Sequence, residues 1–179
     1  MRTMGKKLYE NVVVKKFVEK WAGKEAVEVL KYFLKSKRPL RDEVIAEKAG
    51  MRVTEVRTIL NRLHYRGIAN YDKKRDDKTG WYTYTWRIDT KKIVELILEE
   101  QQELLEKLEK EREVQENYTL FTCKGGCVEF PFEIAAEYQF KCPECGRDMN
   151  CIDGAIKKRH LSKQINKVRK VIEELKMLK

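Results

Sequence analysis

The chain has 179 residues, enough for one ordinary domain or two small ones, each with only a modest core. With 42% apolar and 38% charged residues, part of it must fold while much of it is solvated surface or linker. No run approaches eighteen apolar residues and no apolar segment follows Met1–Lys7, so neither a membrane span nor a secretory signal is expected.

The formal net charge of +10 is unevenly placed. Residues 1–90 carry +10, residues 91–116 carry −4, residues 117–154 carry −3 and residues 155–179 carry +7. Two basic ends flank an acidic middle, a distribution suited to polyanion contact at both ends.

Val13, Phe17 and Trp21 recur every four residues, with Val14 and Val18 alongside, predicting a helix over about 8–21. Gly23 interrupts, and a second helix follows with Ala26, Leu30, Phe33 and Leu34 on one face, ended by Pro39. Asp42 and Glu43 open a short third helix that runs to Ala49 and stops at Gly50. The fourth carries Val53, Val56, Leu60 and Leu63 inward and ends at Gly67.

Ile68–Tyr71 reads as a short strand, Asp72–Gly80 as a charged turn, and Trp81–Trp86 as an aromatic and β-branched strand. Together these elements predict a winged helix-turn-helix domain. On its fourth helix Arg57, Thr58, Asn61, Arg62 and Arg66 face outward, and arginine and asparagine can read guanine and adenine edges. In the wing, alternation sets Tyr82, Tyr84 and Trp86 on one face. Trp81 is then either left at the wing edge beside Lys73, Lys74 and Arg75, or caps the small core. An exposed aromatic beside cations suits a protein contact or stacking on an unpaired base.

Residues 91–116 read as an acidic helix about 39 Å long at about 1.5 Å per residue. Its heptad breaks at Gln101 and Glu111, which favours a mostly solvated spacer over a sustained coiled coil.

Cys123-Lys-Gly-Gly-Cys127 and Cys142-Pro-Glu-Cys145-Gly form two cysteine pairs. Four thiolates on two tight turns suit one tetrahedral Zn²⁺, with Zn–S bonds near 2.3 Å. Short strands are expected at Tyr118–Thr122, Val128–Phe130 and Tyr138–Lys141, making a zinc ribbon whose folding depends on the metal. His64 and His160 fall in helices outside it, so one closed, structural Zn²⁺ per chain is expected. Cys151 is read as a small buried residue, or else as a substitute ligand. The C-terminal segment places Ile156, Ile165, Val168, Ile172 and Leu175 on one side among many cations. Such a basic amphipathic helix could lie on a phosphate backbone, a membrane surface or an acidic partner. The sequence contains no G-x-x-x-x-G-K-[ST], G-x-G-x-x-G or G-x-S-x-G motif, and enzyme activity is not expected.

The expected fold class is therefore mostly α with small β. A winged helix-turn-helix domain (1–90) is followed by an acidic helical linker (91–116), a zinc ribbon (117–153) and a basic amphipathic C-terminal helix (154–179).

Asp42–Lys48, Glu55-Val-Arg57 with Leu60–Leu63, Arg75–Trp86 and Phe140–Gly146 together resemble the archaeal general transcription factor E family. That family is the counterpart of the alpha subunit of eukaryotic factor IIE. The resemblance covers nearly the whole chain, in the family's own order of winged helix, helical linker and ribbon. Arg41, where a Ser or Thr cap would be expected, and the C-x₃-C spacing depart from the pattern.

The resemblance implies a non-enzymatic initiation factor, monomeric, cytoplasmic and nucleoid-associated. It would bind the clamp and stalk of RNA polymerase and, weakly and largely non-specifically, promoter DNA near the non-template strand. Contacts with TATA-binding protein and a small second subunit come within the same expectation. Lys73, Lys74, Arg75, Trp81 and Tyr82 would face the clamp and the strand, and Cys123, Cys127, Cys142 and Cys145 would hold the zinc. The competing reading is a gene-specific winged-helix repressor whose ribbon serves dimerisation or sensing.

Overall fold

The structure is a computed structural model, and it describes residues 8–36, 38–75, 77, 80–152 and 154–178. Asp76, Lys78 and Thr79 of the expected wing turn lie outside the described residues, as does the side chain of Ile156. The chain divides into two compact units, Met1–Glu99 with Leu175–Lys179, and Glu100–Glu174. Among the described residues no helix is long and apolar enough to cross a membrane.

In the first unit, helix α1 spans Val12–Ala22 and α2 spans Glu25–Lys35. The continuous helix expected over 8–21 is broken at Asn11, whose side chain accepts the amides of Val13 (2.8 Å) and Val14 (3.3 Å). Asparagine satisfies orphan helix donors better in a cap than it serves inside a helix, so the chain restarts there. α1 buries Val14, Phe17, Val18 and Ala22, while Val13 and Trp21 are only partly covered.

Strand β1 (Leu40–Arg41), which the sequence did not suggest, leads directly into α3 (Asp42–Ala49). Gly50 ends α3 in the left-handed region, and the Met51 amide returns to the Ala46 carbonyl at 3.0 Å. Helix α4 (Val53–Tyr65) buries Val56, Ile59, Leu60 and Leu63. Burial of such side chains contributes about 1.5–3 kcal/mol each, and this row holds α4 in the helix-turn-helix.

Strands β2 (Ala69–Arg75) and β3 (Tyr82–Ile88) form the wing, and the sheet order is β1-β3-β2. β2 runs through Asp72–Arg75, where the sequence predicts a turn. Ladder pairing with β3, from Ala69↔Ile88 to Arg75↔Tyr82, overrides the weak strand preference of those charged residues. Helix α5 (Thr90–Asn117) follows, and the boundary between units falls within it. Ile93, Val94, Ile97 and Leu98 are buried near its start and Gln115 near its end, so the solvated-spacer description fits only the turns between.

The second unit contains the three-stranded sheet β5-β4-β6, from β4 (Leu120–Cys123), β5 (Glu129–Pro131) and β6 (Met149–Cys151). Between β5 and β6 lies α6 (Phe132–Glu137), and after β6 comes α7 (Gly154–Lys176). The strand expected at Tyr138–Lys141 is instead a turn in which Gln139 and Phe140 have φ of 54° and 55°. The Phe140 amide bonds back to the Ala135 carbonyl at 2.8 Å, closing α6 with two left-handed residues. That closure turns Phe140 onto Phe121, with ring centroids 5.0 Å apart. The third strand is supplied by Met149–Cys151, whose register with β4 includes Cys123↔Met149.

Candidate metal centre and nucleic-acid interface

The Cys123–Cys127 segment begins at the end of β4, and the Cys142–Cys145 segment follows the left-handed turn. The Cys142 amide bonds to the Arg147 carbonyl and the Gly146 amide to the Cys142 carbonyl, each at 2.8 Å. On the other side the Gly126 amide reaches the Cys123 carbonyl at 2.8 Å. Gly126 and Gly146 have φ of 71° and 69°, which other residues adopt only with strain.

All four sulfurs lie within 4.8 Å of one another, and Cys123 Sγ is 3.4 Å from Cys145 Sγ. A tetrahedral zinc with bonds near 2.3 Å requires sulfur separations of about 3.8 Å, so this donor set fits the ion. Cys123 and Cys142 are buried against Ala135 and Met149, while Cys127 and Cys145 face outward. The ribbon core is thus built directly on two of the candidate ligands.

The thiols are strongly unequal. The Gly125 amide, donating to Cys123 Sγ at 3.1 Å, draws that thiol down to about 6. Cys127 is pushed up to about 12, first by its bond with Cys145 and next by that with Cys123. Burial raises Cys142. Four sulfurs this close cannot all ionise alone; a divalent cation among them would favour the thiolate at each. Cys151, expected to be buried, is exposed on β6, and its Sγ donates to the Ile152 carbonyl at 3.6 Å. It lies outside the four-sulfur group.

On α4 the arginines are engaged within the protein. Arg57 donates through Nε to Asp42, a carboxylate only 2% exposed, and through Nη2 to Glu43 at 3.4 Å. Arg62 donates to the Ala22 carbonyl at 3.5 Å, and the Arg66 guanidinium lies 3.2 Å from the Trp21 ring centre. Thr58, Asn61 and Tyr65 remain on the exposed side, with Tyr65 89% exposed. The arginines of this helix therefore serve first to fasten it.

The wing is different. Register places Tyr71 opposite Trp86, Lys73 opposite Tyr84 and Arg75 opposite Tyr82, all on one face. Lys73 Nζ sits 3.8 Å from the Tyr82 ring centre and 5.7 Å from that of Tyr84, in cation–π geometry. Lys74 belongs to the opposite face, across from Thr83. Trp86 is buried, whereas Trp81 is 78% and Tyr82 51% exposed, so Trp81 stands at the wing edge. The sequence singles out no role for Tyr71, because it ends the short strand expected over Ile68–Tyr71 and Asp72–Gly80 reads as a turn. The alternation Tyr71, Lys73, Arg75 would have shown it.

Residues 12–117 match the family model of the TFIIE alpha subunit. The chain is 38% identical over 156 residues to transcription factor E of Thermococcus kodakarensis, covering 87% of this chain and 80% of that protein. It is 35% identical over 150 residues to transcription factor E of Metallosphaera sedula, covering 84% and 85% respectively. The corresponding protein of Methanobrevibacter smithii is 37% identical over 132 residues, or 74% of each chain. A possible transcriptional regulator from Methanosarcina mazei matches in structure with TM-score 0.51 at 23% identity, over 59% of this chain and 87% of that one. At that identity the likeness speaks to the fold alone.

Proposed function

This chain belongs to the TFIIE alpha subunit family, and from that membership we propose that it is a basal transcription initiation factor. It binds RNA polymerase in the preinitiation complex, at clamp and stalk, and promotes or stabilises promoter opening. The observation that carries this reading is the extended similarity to proteins named transcription factor E. The wing supports it: Lys73, Arg75, Trp81 and Tyr82 gather cations and exposed aromatic rings, which suit an unpaired strand or a protein partner better than duplex readout.

Zn²⁺ bound by Cys123, Cys127, Cys142 and Cys145 acts as a structural ion that holds the ribbon folded. With no phosphate-cradling motif in the sequence, this chain acts on melting by binding the open promoter better than the closed one. Stacking of one unpaired base contributes about 1–3 kcal/mol, enough to alter occupancy of the open state at a weak promoter.

The test is affinity purification of the tagged full chain from cells that express it natively, followed by permanganate mapping of melted thymines with purified polymerase. Co-purification of the multisubunit polymerase and increased reactivity at a poorly melting promoter are expected. A dimer that footprints one palindromic operator without polymerase would overturn the reading in favour of a gene-specific repressor.

A further inference from the structure

Helix α7 buries Leu161, Ile165, Val168 and Ile172, the apolar side that its sequence spacing suggests. Its opposite side carries a row of four cations, followed one turn after Lys170 by the exposed carboxylate of Glu174. Arg159, Lys163, Lys167 and Lys170 are all exposed, and at 3.6 residues per turn they fall within an arc of about 80°. From Lys157 to Ile172 the sequence has seven lysines and arginines and no carboxylate. Two other cations of α7 are neutralised inside the unit: Lys157 pairs with Glu129 at 3.0 Å and Arg169 with Glu109 at 2.6 Å. Among the described residues none of the four outward cations has an ion-pair partner. Like charges four residues apart, as in Arg159–Lys163 and Lys163–Lys167, disfavour an isolated helix. The row therefore has no intrinsic structural use.

We propose that this row is a second nucleic-acid contact, binding the phosphate backbone of duplex DNA without reading sequence. Structure chooses among the polyanions. An interfacial membrane helix must offer its apolar face to lipid, and here that face is already buried. A single strand is held by aromatic stacking, and residues 154–176 contain no Phe, Tyr or Trp. What remains on offer is a line of long cationic side chains, successive members rising about 4.5–6 Å along the axis, matched to a regularly charged duplex surface. The inference does not rest on polymerase binding, because its test uses the purified chain.

The experiment measures affinity of the full, zinc-loaded chain for a random-sequence DNA duplex across a salt series. One variant carries Arg159→Gln, Lys163→Gln, Lys167→Gln and Lys170→Gln. A control removes the same charge at scattered exposed positions through Lys48→Gln, Lys91→Gln, Lys107→Gln and Lys110→Gln. Four phosphate contacts contribute about 3.6 to the slope of log K against log salt, equivalent to about 150-fold between 50 and 200 mM. A slope lowered by two or more in the row variant, with less than one in the control, is the expected result. The milder pair Lys163→Gln, Lys167→Gln should give about half the effect, with helix content and bound zinc unchanged. A smaller drop in the row variant, an equal drop in the control, or loss only of phosphatidylserine-vesicle or single-stranded RNA binding would overturn the proposal.

Discussion

Arg57 and Asp42 form an ion pair that clamps α4 to the first turn of α3, with the carboxylate almost wholly buried and the guanidinium half exposed. By sequence position Arg57 looks like a base-reading residue; in the fold it satisfies a buried charge. Arg57→Gln should therefore destabilise the winged-helix unit by about 1–3 kcal/mol, the penalty of leaving a buried acceptor without its partner. Urea unfolding followed by tryptophan fluorescence measures this, since Trp21, Trp81 and Trp86 all belong to that unit. A stability unchanged within about 0.5 kcal/mol would show that the pair is incidental.

The same pair sets an acid dependence. Burial, the largest single influence, raises the Asp42 carboxyl, but the Arg57 and Glu43 hydrogen bonds and the Arg57 charge together outweigh it and hold the group below its ordinary range. A depressed folded pKa contributes stability that is complete above the unfolded value, about 3.9, and is lost as pH falls through the folded value. The stability gap between the native chain and Arg57→Gln should thus be widest near neutrality and close below about pH 4. A gap constant from pH 7 to 3 would contradict this.

Zinc is expected at one ion per chain. Its removal by a chelator, or Cys142→Ser, should unfold residues 117–153, because the small core there includes Cys123 and Cys142 themselves. Tryptophan fluorescence should stay native, while amide signals from the ribbon collapse in dispersion. Elemental analysis that finds no zinc, or a ribbon that keeps its dispersed signals after chelation, would refute the assignment.

Trp81 and Trp86 should behave oppositely. Trp86→Ala removes a buried ring and should cost about 3–5 kcal/mol. Trp81→Ala, at an exposed position, should change stability by less than about 0.5 kcal/mol. Yet it should reduce stimulation of transcription from poorly melting promoters, with little effect on a template carrying a preformed bubble. Equal stimulation of both templates by the native chain would place its action at another step.

Much of this protein was legible in the residues themselves. Helix faces follow from recurrence of Phe17, Leu30, Leu60 and their neighbours, because burial of one stripe dominates helix placement. The four zinc ligand candidates follow from two short cysteine pairs, since local chain length limits which thiols one turn can bring together. Tertiary structure decided the rest. β2 extends through Lys73–Arg75 only because β3 lies alongside to accept its ladder, and this register puts Lys73 on the tyrosine face and Lys74 on the other. The ribbon's third strand comes from Met149–Cys151 because β4 offers its open edge there, whereas Tyr138–Lys141 must turn to seat Phe140 in the core. Whether an arginine faces DNA or a buried aspartate depends on what the fold brings to its other side, and Asp42 lies fifteen residues from Arg57 along the chain. A pattern on one element can specify which side is apolar; only packing against a second element determines which charges are already neutralised.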